Sequence, residues 1–202
     1  MRNNTQSGAA LIALLAIFML SATGILLYRL NNRTYFMLEN QAQTARALAQ
    51  AKEALIGYAA SYSDKHSGRY GFLPCPDSEV SSLPEGADQG NDCGIRYESH
   101  LGRLPWLTLG IEPLRDGAGE CLWYAVSGSY KNASSARTEM LNEDTNGLFE
   151  VYGMDGTSLL TGSSPQNRAV AVIIAPGKII PNQNRKLDEG VDICGGNYTP
   201  TN

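Results

Sequence analysis

The chain has 202 residues, 43% of them hydrophobic, enough for one globular domain beside an N-terminal helix. Its formal net charge is −4 and its 16 Lys and Arg residues are scattered, so it lacks the basic face that drives nucleic-acid binding. No HExxH, GxSxG, P-loop or GxGxxG pattern occurs, and we expect no enzyme, no cofactor and no catalytic or metal-ligating residue.

Met1 to Gly8 (MRNNTQSG) is polar, with Arg2 as its one charged side chain. From Ala9 to Tyr28 no residue is charged. That is just long enough for a membrane-spanning helix, which needs about 20 predominantly apolar residues. Arg2 and the N-terminal amine favour a cytoplasmic start, although Arg29 and Arg33 on the far side make the bias shallow. A removable signal peptide would have a shorter apolar core, and the small residues around Ser21-Ala22-Thr23 fall inside this run rather than after it.

Beyond Arg29 an apolar stripe continues through polar sequence. Leu48, Ala51, Leu55, Tyr58 and Tyr62 recur at steps of three and four, which is one face of a helix. Leu38, Ala42 and Ala45 extend the stripe backwards. Neither Pro nor Gly interrupts the segment between Arg33 and Ile56, and strong helix formers dominate it. The expectation is one helix from about Ala9 to Tyr62; two helices broken near Asn31-Asn32 are the alternative.

Ser63 to Gly71 is rich in turn formers and ends the helix. Two prolines flank Cys75 and keep Phe72 to Asp77 out of helix. Ser78 to Gly94 reads as a long surface loop. Strands are expected at Cys121 to Ser127, Leu148 to Tyr152, Thr157 to Leu160 and Ala169 to Ala175, with a hairpin turn at Met154-Asp155-Gly156. The fold class is therefore α+β: a long helix beside one small antiparallel sheet of about four strands. Lys178 to Asn202 is polar and loop-like.

Cys75, Cys93, Cys121 and Cys194 all follow the apolar run and contain no CxxC pair. An even number of dispersed cysteines past a membrane segment points to disulfides in an oxidising compartment. Three pairings are possible and the sequence alone does not choose. We favour a local Cys75–Cys93 loop with Cys121–Cys194 tying a strand to the C-terminal segment. His66 and His100 sit in polar loop-like surroundings and read as solvated. Asn142, Asp144 and Asn146 resemble half of a calcium loop but lack the later acidic ligand, so a solvated turn is the better reading.

The short leader ending in Gly8, followed by the apolar run, resembles the type III signal of type IV pilins and type II secretion pseudopilins. Lys52-Glu53-Ala54-Leu55-Ile56-Gly57-Tyr58-Ala59, Leu73-Pro74-Cys75-Pro76-Asp77 and Gly102-Arg103-Leu104-Pro105-Trp106 look like one branch of bacterial minor pilin-like proteins. So do Leu122-Trp123-Tyr124-Ala125-Val126-Ser127 and Ala175-Pro176-Gly177.

The resemblance implies a type IV pilin-like fold, with a prepilin leader over 1–8 and the transmembrane half of the helix over 9–28. The periplasmic half then covers 29–62, and a disulfide-bonded β-rich domain covers 63–202. It also implies cleavage by a prepilin peptidase after Gly8 and methylation of Ala9. The implied partners are that peptidase, other pilins or pseudopilins through the N-terminal helix, and the inner membrane, with no nucleic acid. Family members usually carry glutamate at the fifth position after the cut, where this chain has Ala13. A carboxylate there is thought to meet the N-terminal amine of an adjoining subunit, so its absence favours a minor or tip subunit over a fibre-body subunit.

The functional expectation is a non-enzymatic subunit of a type IV pilus or type II secretion pseudopilus. Its rival is an unprocessed, membrane-anchored periplasmic binding or adhesion domain, in which Trp106, Trp123 and Tyr124 would line a ligand site.

Overall fold

The computed structural model describes residues 6–78, 83–90, 93–94, 98–132, 140–181, 183, 185 and 193–194; side chains at 6–9, 26 and 29–33 are outside the description. One helix, α1 (Gln6–Lys65), takes up the N-terminal part of the chain. It runs without a break through Asn31 and Asn32, so the two-helix alternative does not hold. It starts earlier than Ala9, within the polar leader. It ends at SDKHSG, where Gly68 turns the backbone with φ of 77°, a left-handed conformation that favours glycine.

The chain divides into two compact units, 1–42 and 43–202. Within the first, the described apolar side chains stand in the open: Phe18 is 76% exposed and Leu20 72%. The hydroxyls of Ser21 and Thr23 donate to the carbonyls of Phe18 and Met19, each at 2.9 Å, which removes their need for water inside an apolar run. Among the described residues no helix is long and apolar enough to cross a membrane. The span expected over Ala9–Tyr28 also involves Ala9 and Leu26, whose side chains are outside the described residues.

The second unit has a three-stranded and a two-stranded antiparallel sheet. Its strands are β1 (His100–Arg103), β2 (Trp123–Val126), β3 (Val151–Tyr152), β4 (Leu159–Thr161) and β5 (Ala171–Ile174). β2 lies between β1 and β5, with Tyr124 opposite Gly102 on one side and Ile173 on the other. β3 and β4 form a separate hairpin, and the isolated bridge Phe149–Ala169 joins the segment ahead of β3 to the segment ahead of β5. The expected single sheet is thus two sheets. The missed strand is β1, because His100-Leu101-Gly102-Arg103 has no β-branched residue and contains a glycine.

The expected turn forms at Met154-Asp155-Gly156. The Asp155 carboxylate accepts the Thr157 and Ser158 amides at 3.1 and 2.9 Å. The Ser158 hydroxyl, helped by the Ser158 and Thr157 amides, holds the Asp155 carboxyl down at about 2.

The core forms where α1 meets the larger sheet. Ala47, Ala51 and Leu55 share one helix face and cluster with Leu73, Leu104, Leu122, Tyr124 and Val126. Leu48 and Ala59 pack at its border, and Tyr62 is buried a turn further on. The stripe therefore begins at Ala47. Leu38, Ala42 and Ala45, the expected extension of the stripe, are exposed.

Much of this unit is irregular, so backbone amides outside the ladders need other acceptors. The buried Asp116 serves several. Its Oδ1 accepts the Ala118 and Glu120 amides at 2.8 and 3.0 Å, and its Oδ2 accepts the Gly177 amide at 2.7 Å. Its own carbonyl takes the Gln43 amide group at 3.1 Å, and the next amide, of Gly117, donates to Thr44 Oγ1 at 2.9 Å. Asp116→Ala would strand these amides in the interior and is expected to cost about 3 kcal/mol, with Asp116→Asn costing less. Urea unfolding followed by near-ultraviolet circular dichroism checks this; a loss below about 1 kcal/mol for the alanine variant would refute the role given to Asp116.

Candidate functional site

Gly8 and Ala9 lie on the α1 backbone, and their side chains are outside the described residues. Among the small residues of the apolar run, Ala10, Ala13, Ala16 and Gly24 are exposed. A Cβ added at Gly24 would meet nothing within 4 Å. The helix backbone is therefore open to close approach on these positions, the property that small residues bring to helix–helix contacts in apolar surroundings.

In the second unit the structure gathers segments that lie far apart in sequence. Asp77 and Arg103 exchange backbone hydrogen bonds at 2.9 and 2.7 Å, which joins LPCPD to GRLPW. Gly102 makes this possible, because a Cβ there would lie 2.4 Å from the Asp77 carbonyl oxygen. The Arg103 guanidinium sits 4.7 Å above the Trp123 ring, and the Tyr124 hydroxyl donates to the Pro74 carbonyl at 3.2 Å. Trp106 covers Gly86, where a Cβ would overlap the indole at 2.3 Å. Trp106, Trp123 and Tyr124 thus serve packing.

The cysteines pair as Cys75–Cys93 and Cys121–Cys194. Cys75 and Cys93 are wholly buried, and the Lys131 ammonium, also buried, donates to the Cys93 carbonyl and to the Glu98 carbonyl at 2.8 Å. At the other bridge the Glu85 carboxylate accepts the Ile193 and Cys194 amides at 2.6 and 2.5 Å, and Arg115 donates to the Ile193 carbonyl. Ile193 and Cys194 are therefore held by covalent and polar ties together.

His66 stacks on Tyr62 with ring centroids 4.1 Å apart. His100 lies with Nε2 3.3 Å from the Ser78 hydroxyl, a pairing that sequence spacing did not reveal. Among the described residues no carboxylate meets the other ring nitrogen, so the pair lacks the orienting member of a hydrolytic triad. Burial, and then the Lys131 charge, lower the His100 pKa below its ordinary value. The Asn142 side chain caps its own turn, accepting the Asp144 amide at 3.1 Å and the Thr145 hydroxyl at 2.9 Å.

A groove of about 790 Å³ runs between the end of α1 and the 108–111 turn. Its half-buried floor is a polar cluster made by Tyr58, Asp88, Thr108 and Asn132, and its exposed lining includes Ser61, Asp64 and Lys65. The Asn132 amide nitrogen donates to the Tyr58 oxygen at 3.0 Å and to Asp88 Oδ2 at 2.8 Å, while Asn132 Oδ1 accepts the Cys75 amide at 3.1 Å. Thr108 Oγ1 accepts the Asp88 amide at 2.8 Å. Burial, with the nearby Asp88 charge, pushes the Tyr58 phenol well above its ordinary value, so it stays protonated. Sequence reasoning placed Tyr58 on the helix stripe but had no signal for this cluster, whose other members come from separate loops.

No protein family, curated protein or solved structure matches the chain.

Two outcomes follow from this geometry. Closing a longer loop removes more entropy from the unfolded chain, so replacing Cys121 and Cys194 together by serine should cost about 1 kcal/mol more than replacing Cys75 and Cys93. The comparison is made by denaturant unfolding of both double variants, and a reversed order would refute it. For His100, a folded-state pKa below the unfolded one means that the unfolded chain binds the proton first. Its contribution is complete above about pH 6.5 and is lost as the pH falls through that value. His100→Gln should therefore flatten the stability profile between about pH 7 and about pH 5, measured by thermal unfolding at fixed ionic strength; an unchanged slope would refute it.

Proposed function

We propose that the chain is a minor pilin or pseudopilin, a structural subunit of a type IV pilus or type II secretion pseudopilus with a type IV pilin-like fold. The observation that carries this reading is the helix Gln6–Lys65, whose early residues expose apolar side chains and whose later residues form a core with a disulfide-bonded α+β unit. An exposed apolar helix needs either lipid or other apolar helices around it, and a pilin passes from the first to the second. Before assembly the segment Ala9–Tyr28 anchors the chain in the bacterial inner membrane, with the domain on the periplasmic side. Both disulfides fit that oxidising compartment.

Prepilin peptidase cuts after Gly8 and the new N-terminus, Ala9, is methylated. The partners are that enzyme and other pilins or pseudopilins, met through the exposed small and apolar residues of the helix. Ala13 cannot neutralise the amine of a neighbouring subunit, which favours a tip or initiating position.

N-terminal mass spectrometry of the membrane-extracted chain tests the reading. Loss of Met1–Gly8 with a methylated Ala9 is the expected result, and Gly8→Asp should abolish it. An intact leader in the wild-type chain would overturn the pilin reading and favour a permanently anchored periplasmic domain.

A further inference from the structure

We propose that the groove beside the end of α1 is a binding site for a neutral saccharide, recognised through a pair of adjacent hydroxyl groups on its ring. The floor of the groove is built around one amide. Asn132 uses its nitrogen to hold the Tyr58 oxygen and Asp88 Oδ2 next to each other, and its own oxygen is fixed by the Cys75 amide. That arrangement leaves hydrogen-bonding capacity over. The Tyr58 oxygen accepts from Asn132, so its O–H hydrogen has no acceptor among the described residues. Thr108 Oγ1 accepts from the Asp88 amide, so its hydrogen is unused in the same sense, and Asp88 Oδ1 receives no donor.

At this cluster the groove therefore offers two hydroxyl donors beside one carboxylate acceptor, on half-buried side chains, while Asp64 and Lys65, of opposite charge, line its exposed helix side. A ligand that satisfies all three must donate and accept at neighbouring atoms. Adjacent ring hydroxyls do both, because each carries one hydrogen and two lone pairs. A cationic side chain would pair with Asp88 but leave both hydroxyl donors without an acceptor. An anion would accept from them but face Asp88. The walls fit the rest of a sugar ring: Leu109 and Ile111 are aliphatic, and the exposed His66 imidazole gives a flat face beside Tyr62. The volume, about 790 Å³, lies in the usual range for small-ligand sites. The groove lies wholly within the second unit, and the inference does not depend on cleavage after Gly8.

Two variants separate binding from folding. Tyr58→Phe removes the phenol donor while keeping the ring. Gly57→Trp places an indole on the groove wall from a helical position where an added Cβ meets nothing within 4 Å, so it fills the groove from the helix side.

The experiment titrates maltotriose, cellotriose, tri-N-acetylchitotriose and methyl α-mannoside into the full chain. The chain is held in a zwitterionic detergent without a sugar headgroup, and binding is read by saturation-transfer nuclear magnetic resonance and calorimetry. At least one probe should bind saturably, with affinity reduced at least tenfold by Gly57→Trp and by Tyr58→Phe; thermal unfolding identifies any variant that has lost its fold, in which case the other carries the comparison. No saturable binding by any of the four probes overturns the proposal. So does binding that Gly57→Trp leaves unchanged in a folded chain, or saturable binding of arginine methyl ester in place of every saccharide.

Discussion

Backbone amides in irregular structure must find acceptors, and in this protein that requirement falls on a few buried side chains. Asp116 is the main one. Its two carboxylate oxygens take amides from the loop at 118–120 and from Gly177 beyond β5, while its backbone reaches α1 at Gln43 and, through Gly117, Thr44. The helix face at Ala47, Ala51 and Leu55 can pack on the larger sheet only if these three parts of the chain hold their relative positions. Lys131 and Glu85 repeat the device, each occupying backbone groups near a disulfide. A buried charge is costly to leave unpaired, and here the buried Asp116 and Lys131 and the half-buried Glu85 each meet backbone dipoles already fixed by the chain.

The same constraint explains two of the glycines. Gly102 lets the 76–77 segment lie against β1, and Gly86 lies under the Trp106 ring in a left-handed backbone conformation with φ of 80°. Any larger residue at either place would meet backbone or the rigid indole rather than the end of a flexible side chain. Sequence segments separated by tens of residues are thereby brought into one cluster, with Arg103 over Trp123 and Tyr124 bonded to Pro74.

A single helix serves two physical settings. From Ala47 onward its apolar positions are spaced for one face and covered by the sheet, whereas in the described part of 10–28 apolar side chains point in all directions and stay exposed. A helix apolar all round has no stable place in water alone. The groove at the far end of the helix adds a surface of another kind, small, polar-floored and walled by aliphatic groups.

Sequence by itself determined the long helix, the strands β2 to β5, the hairpin turn at Asp155 and the α+β class, because each rests on local periodicity or on Gly, Pro and Asp at fixed offsets. It left all three pairings of the four cysteines open, and the structure has Cys75–Cys93 and Cys121–Cys194. Tertiary structure alone decided the rest. It created β1 from HLGR by pairing with β2, separated the hairpin from the larger sheet, and ended the buried stripe at Ala47. It also brought Tyr58, Asp88, Thr108 and Asn132 to one floor, and Ser78 to His100. These contacts join residues far apart along the chain, and no local period or turn residue encodes such a meeting; it arises only when the helix face and the sheet bury their apolar sides together.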